Sequence, residues 1–436
     1  MIVLRIWLIL VLFVLSRSVF AQITDFDKTL VSKDCWSENP VIATATQQNA
    51  IAVYENFVFI IYYNTSRKLC VARNSNFGKE GNWKIIELPH IYEKRKGKYD
   101  NHNTPNIAIS PVDQRIHLSF DMHARTFRYI VSEPLAAIAD DADFDARLFS
   151  PTRNYLENTK VPIERVTYPR FFNDQEGQLF FMYRVGGSGN GDTFLSRYNQ
   201  DGLWDTPLKI VDGKKGVYEG DENRCAYYND IFFADGRMYL SWVWRESPNA
   251  ATNHDLMFAY SEDQGKTWIN SEGRQLNGPL HLNSSGVKIA DIPMSSGLSN
   301  HNGATLDGNG NFHIVLKRGN TYQHYIGFSH EDSFQWESKV ISISGDRPKV
   351  YCDPISNDLY LMVRQGSRLK IYGSSAHGGD WDQWNEIYTL DGDFTTSTNS
   401  IVSPSKDHLM GVAVTKEDQL HLYRWPLANL ANRIEK

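Results

Sequence analysis

Ser261-Glu-Asp-Gln-Gly-Lys-Thr-Trp268 has the S-x-D-x-G-x-T-W form of an Asp-box. In such a turn the Asp and Gly shape the bend between two outer strands, and the Trp packs between neighbouring sheets. Degenerate copies occur as NSNFGKEGNW ending at Trp83, NQDGLW ending at Trp204 and HEDSFQW ending at Trp336. Ahead of each lies a pair of β-rich runs joined by a polar turn, as in AIAVYENFVFIIYY and YYNDIFF…MYLSWVW. Such pairs begin near residues 50, 105, 169, 226, 303, 348 and 399. A repeat of about 45 to 77 residues, each unit supplying four strands, is the pattern of a β-propeller. The reading is an all-β, seven-bladed propeller with Asp-box turns, forming one domain over residues 22–436. The stretch Pro40–Thr46 is expected to supply the strand that closes the last blade.

In an antiparallel hairpin the start of the first strand and the end of the second share one edge. DNHNTPNIAIS…RIHLSFDMH therefore places His102 and His123 on one rim of the propeller. VTYPRFF…GQLFFMYR places Tyr168 and Arg184 at the equivalent positions of the next unit. The same rule brings Arg224, Trp244 and Arg245, then His301 and Arg318, then Arg347 and Arg364, to that rim. His254 lies on a loop facing the same way. Guanidinium groups hold carboxylate or sulfate through paired hydrogen bonds, so an anionic ligand is expected. Trp244 and Tyr168 offer flat surfaces for sugar rings, and the rim as a whole points to an acidic glycan. Arg245, His254, His301, Arg318 and Arg364 are the expected substrate-binding residues.

The formal net charge of −6 argues against nucleic acid as a partner. Residues 1–21 read as a signal peptide, with Arg5 ahead of the apolar run Ile6–Leu15 and Val19-Phe20-Ala21 at the cleavage position. No later stretch is long and apolar enough to span a membrane, so a periplasmic or secreted monomer is expected. Cys35, Cys70, Cys225 and Cys352 contain no CxxC. Cys35–Cys70 is a candidate disulfide, and four buried free thiols are the alternative. A structural zinc ion drawing on Cys225, His301, His313 and His324 would have no compact zinc motif behind it. The Asp-rich Ala139–Asp145 is a candidate calcium loop without EF-hand spacing.

At DNHNTPNIAIS, FDMH, TYPRFF, FMYR and GDENRCAYYND the chain resembles the seven-bladed propeller ulvan lyases, and more broadly the BNR-repeat proteins. The resemblance implies a carbon–oxygen lyase acting on ulvan, a sulfated polysaccharide of rhamnose-3-sulfate and uronic acid. It implies proton-transfer roles for Tyr168 and His123, and neutralisation of the uronate by Arg184 assisted by His102. Removing the C5 proton of a uronate requires stabilising the charge that develops beside its carboxylate, which arginine supplies without a metal cofactor. Two assignments stay open. Tyr168 is the base if nearby cations lower its pKa; otherwise neutral His123 is the base and Tyr168 the acid. If O4 carries a sugar the enzyme cuts the chain, and if O4 is a free hydroxyl the same residues make an oligosaccharide dehydratase. A sialidase-like hydrolase, needing a Tyr/Glu nucleophile pair on six blades, and a non-catalytic glycan-binding propeller are the other classes.

Overall fold

The computed structural model describes residues 26–434 except 40, 44–48, 80, 82, 157–159, 377–378 and 380. Nearly continuous apolar runs such as Phe57–Tyr63 and Phe312–Arg318 form strands buried on both faces, each flanked by antiparallel partners in sequence order. Ile51–Tyr54, Phe57–Tyr63, Lys68–Asn74 and Lys84–Ile91 make one four-stranded sheet. Gly303–Leu306, Phe312–Arg318, Thr321–His330 and Ser333–Ile341 make another, and Lys349–Cys352 through Asn385–Leu390 a third. The innermost strands touch in turn. Ile51–Tyr54 meets Asn106–Ile109, which meets Val166–Asn173; Gly303–Leu306 meets Lys349–Cys352; and Asn399–Val402 returns to Ile51–Tyr54. The sheets thus close a ring, the arrangement of a β-propeller.

Among the described residues there are seven sheets, of which six carry four or more strands. The expectation of seven equivalent four-stranded units is corrected to six complete blades and one three-stranded sheet. That sheet comprises Asn106–Ile109, Ile116–Ser119 and Tyr129–Val131. Its chain leaves after Ser119, and His123–Arg125 pairs instead with Val166–Asn173 of the next sheet. Where a fourth strand would lie, only the isolated bridges Tyr129↔Arg153 and Ser132↔Phe149 occur.

The ring is closed by Asp27–Ser32, which pairs antiparallel with Leu420–Pro426 as the outer strand of the last sheet. This corrects the assignment of Pro40–Thr46. Residues 41–43 form a single 3₁₀ turn, and the rest of that stretch lies outside the described residues. The signal peptide expected at 1–21 lies outside them as well. Among the described residues, no helix is long and apolar enough to cross a membrane.

The core lies between sheets. Trp204, Trp268 and Trp425 are fully buried. In the turn Ser261–Trp268, Asp263 accepts from Thr267 N and Thr267 Oγ1, both at 2.8 Å, and Gly265 N donates to Ser261 Oγ at 2.8 Å. Gly265 has φ +89°, where a side chain would be strained, and an added Cβ would crowd Ile210 and Leu195. All four cysteines are buried free thiols, so the Cys35–Cys70 bridge is not formed.

Candidate active site

Three adjacent strands set the site. His123 lies opposite Thr167, and Thr167 lies opposite Arg184. Residues directly across a sheet share a face, so this register lines up an imidazole and a guanidinium on either side of Thr167. Simple alternation would send Tyr168 to the other face. The register instead shifts between Thr167 and Arg170, and Tyr168 adopts φ +49°. A bulge of this kind re-aims a side chain, and a left-handed backbone at a non-glycine residue costs roughly 1–3 kcal/mol that the surroundings must offset. Thr167 Oγ1 holds the strands together, accepting from Ala124 N at 2.8 Å and donating to Gly186 O at 3.2 Å.

The Tyr168 ring lies 6.1 Å from that of His123, 6.2 Å from His102 and 4.4 Å from His301. The Arg184 guanidinium sits 5.2 Å from the Tyr168 ring and 4.8 Å from the Tyr227 ring. Arg184 is buried, and its Nη1 donates to Cys225 Sγ at 3.3 Å. Its Nε and Nη2 have no hydrogen-bond acceptor among the described residues. A buried guanidinium with donors to spare favours an anionic group placed beside it. Arg245 donates through Nη1 to Tyr227 Oη at 3.1 Å and Ser188 Oγ at 3.3 Å. His301, also at positive φ (+57°), is buried against Tyr168 and Tyr227.

His102 and His123 come from the loop before one strand and the turn after the next. Their rings lie 4.5 Å apart. Between them is Asp100, with Oδ1 2.7 Å from His102 Nδ1 and Oδ2 2.7 Å from His123 Nδ1. The Asp100 backbone is pinned by Tyr92, whose Oη accepts from Asp100 N at 2.8 Å and donates to Asp100 O.

Electrostatics separates the proton-transfer groups. Burial pushes the Tyr168 phenol up, and the neighbouring Tyr227 adds to this; Arg184, Arg347 and Arg245 oppose the rise without cancelling it. Of the two assignments left open, the raised Tyr168 pKa favours the one with His123 as base, because desolvation of the phenolate outweighs three nearby cations. Burial lowers the His123 pKa despite the hydrogen bond to Asp100. Burial, with Arg347 and Arg184, holds His301 well below the ordinary histidine range. The phenol of Tyr168 is thus held toward its protonated form, and the imidazoles of His123 and His301 toward their neutral forms. Among the described residues no carboxylate is hydrogen-bonded to Tyr168, so the Tyr/Glu pair of a sialidase-type nucleophile is not assembled.

The fold brings together His102, His123, Tyr168, Arg184, Arg245 and His301. Arg347 joins them, anchored by Nε to Asn300 O at 2.8 Å and exerting its charge on Tyr168. Other expected ligand residues go elsewhere. His254 is fully buried, with Nε2 2.8 Å from Glu246 Oε1, Nδ1 3.2 Å from Asp255 Oδ2 and its ring stacked on Tyr218. Arg224 forms a two-pronged buried pair with the same Glu246. Arg364 is tied to Asp346 at 2.8 Å and to Gly366 O. Arg318 bridges to Leu298 and interacts with Tyr325. Trp244 is fully buried and offers no platform to a sugar. These departures share a cause: strand-end position fixes the rim, but neighbouring acids and packing decide which side chains stay available.

The proposed zinc set does not converge. Cys225 contacts Arg184, while His313 Nδ1 lies 3.1 Å from His324 Nε2 and His313 Nε2 is 3.4 Å from Asp307. In Ala139–Asp145, Asp145 is paired with Arg147 and Asp141 with Arg73, which removes two calcium ligands. Among the described residues, one group of His, Cys, Asp or Glu has donor atoms at metal-binding spacing, namely Asp100, His102 and His123, all within 4.8 Å. Each imidazole Nδ1 is taken by its own carboxylate oxygen, so the group is a hydrogen-bonded triad. Asp100 and Tyr227 were missed from the sequence. Asp100 stands two residues before His102, the spacing of an Asx turn, and its carboxylate accepts from His102 N at 3.0 Å.

A β-propeller whose rim gathers imidazoles, a phenol and buried guanidiniums defines a class of proteins with a site for anionic ligands. The chain belongs to the BNR repeat-containing family, which residues 57–342 match. A long-isoform ulvan lyase of Alteromonas sp is 25% identical over 280 residues, 55% of this chain and 28% of the relative. A short-isoform ulvan lyase of Alteromonas sp. (strain LOR) is 26% identical over 284 residues, 55% of this chain and 53% of the relative. The chain thus spans between about a quarter and a half of the length of these relatives. In fold it is similar to the polysaccharide lyase Uly1, with a TM-score of 0.75 and 20% identity, covering 92% of this chain and 99% of that one. A PL25 ulvan lyase bound to -[GlcA(1-4)Rha3S]- has a TM-score of 0.64 at 15% identity, covering 91% and 95%.

Proposed function

We propose that this protein is a β-eliminating carbon–oxygen lyase acting on uronate residues of ulvan or ulvan oligosaccharides. The observation that carries the reading is the cross-strand row His123–Thr167–Arg184 with Tyr168 turned beside it. The kinship with ulvan lyases supports the substrate class. In this reading the three-stranded sheet stands as an incomplete unit beside the six complete blades. The protein is exported through residues 1–21, and its partner is an anionic sulfated glycan.

Arg184 takes the uronate carboxylate, assisted by His102, and stabilises the charge that grows as C5 loses its proton. Neutral His123 accepts that proton through Nε2. The C5 electron pair forms the C4–C5 double bond as the C4–O4 bond breaks. Tyr168, protonated in the resting site, donates its proton to the departing O4. The products are a 4,5-unsaturated uronate end and a fragment with a free hydroxyl. The opposite shifts of Tyr168 and His123 support this division of labour. His301 packs against Tyr168, and Arg245 and Arg347 exert their charge on it.

Incubation with defined ulvan oligosaccharides, followed by ultraviolet absorbance and mass spectrometry, tests the reading. Unsaturated products of shorter chain length are expected. Loss of water without shortening would make the protein a dehydratase of the same chemistry. Binding without any unsaturated product would leave a glycan-binding propeller.

A further inference from the structure

We infer that Asp100 is a positioning residue that fixes the tautomers and orientations of both His102 and His123, so that each presents Nε2 to the ligand. The carboxylate spans the two rings, one oxygen to each Nδ1 at 2.7 Å. A carboxylate only accepts, so both imidazoles must carry their proton on Nδ1. Each Nε2 is then left facing away from Asp100. Such outer partners of catalytic imidazoles set ring orientation and basicity.

Asp100 is itself held rigidly. Tyr92 clamps its backbone N–H and C=O, and His102 N donates to Oδ1 at 3.0 Å. The segment is further fixed by Asn103, whose Nδ2 donates to Asp121 Oδ1 at 2.6 Å. The charged and titratable groups facing the histidine pair are Asp100 from this loop, Arg95 ahead of it, and Tyr168 and Arg184 from the next sheet. Arg95 Nη1 reaches His123 O at 3.0 Å. Arg184 disfavours a proton on His123, and Asp100 is the group that opposes this.

The proposal rests on the proposed lyase reading for its catalytic consequence, but its geometry is testable without substrate. Protein labelled with ¹⁵N-histidine is compared by long-range ¹H–¹⁵N NMR as wild type and Asp100→Asn, with His102→Gln and His123→Gln used for assignment. Wild type is expected to show both imidazoles protonated at Nδ1. In Asp100→Asn the amide can accept from only one Nδ1–H, so the preference is lost at one imidazole at least, and His123 titrates at lower pH than in wild type. With ulvan oligosaccharides, kcat should fall about 10- to 100-fold with KM little changed, and Asp100→Glu should restore part of it. A thermal melt establishes that the variant is folded. Unchanged tautomers and an unchanged pH profile in folded Asp100→Asn would overturn the assignment. Altered tautomers in a protein that leaves every ulvan fragment intact would uphold it and sink the lyase reading instead.

Discussion

At the scale of the residue, the site depends on which groups are denied water. Tyr168 keeps its proton because burial outweighs the arginines around it, and His123 loses its proton more readily than an ordinary histidine. Tyr168→Phe removes the proposed donor to O4 and leaves the ring packing intact. Turnover should fall about 10²- to 10⁴-fold with little change in melting temperature. Arg184→Lys should be nearly as damaging as Arg184→Ala, because an ammonium cannot bind a carboxylate in two-pronged fashion while contacting Cys225. Steady-state kinetics on both variants decides this, and a lysine enzyme close to wild type would refute the role. Because the folded-state pKa of His123 is depressed, the imidazole stays neutral to lower pH. The acid limb of kcat/KM should therefore lie below about 6.5, the free-histidine value. An acid limb above that value would remove His123 as the base.

At the scale of the element, the decisive features are a register and a bulge. Thr167 connects the strand of His123 to that of Arg184 through its hydroxyl. Thr167→Val keeps the shape and leaves Ala124 N–H without its acceptor. A fully buried unsatisfied donor costs about 1–3 kcal/mol, so urea melts should show a loss at or below the lower end of that range for this partly buried one. Activity should fall as well, because His123 is next in the chain to the released Ala124. The repeat of paired strands was legible in the sequence, as was the equivalence of His102–His123 with Tyr168–Arg184. The bulge at Tyr168 was not, since nothing in VTYPRFF marks a left-handed residue. Nor was the departure of His123–Arg125 to the neighbouring sheet, which depends on an edge supplied by residues some forty positions later.

At the scale of the whole molecule, stability rests on closure and on buried histidines. Asp27–Ser32 pairs with Leu420–Pro426, and Asp27 meets Arg424 at 2.6 Å, so the two ends of the described chain hold the ring shut. Removing residues through Ser32 would expose Leu420–Pro426 as an open edge, and loss of cooperative unfolding with aggregation is expected in calorimetry and light scattering. His117 is buried and lowered to about 3, and His421 to about 4, each chiefly by desolvation. A histidine whose folded pKa is depressed binds fewer protons folded than unfolded. Its contribution is complete above the unfolded value near 6.5 and is lost as pH falls toward the folded value. Denaturation midpoints should therefore decline steadily from about pH 6.5 downward. A flat profile from pH 7 to 4 would contradict this.

The sequence by itself determined the strand pairs, the turns that join them and the residue types at the strand ends, because period-two patterning and turn chemistry are local. The signals for a ring of sheets and for His102, His123, Tyr168 and Arg184 on one rim lay in that local pattern. Tertiary structure alone decided which of the rim side chains remained available. Arg364 and His254 met acids supplied by their neighbours, Arg347 and Arg245 turned toward Tyr168, and Asp100 reached both imidazoles. It also decided the protonation of Tyr168 and His123, because desolvation depends on every atom packed around a group and not on its place in the chain.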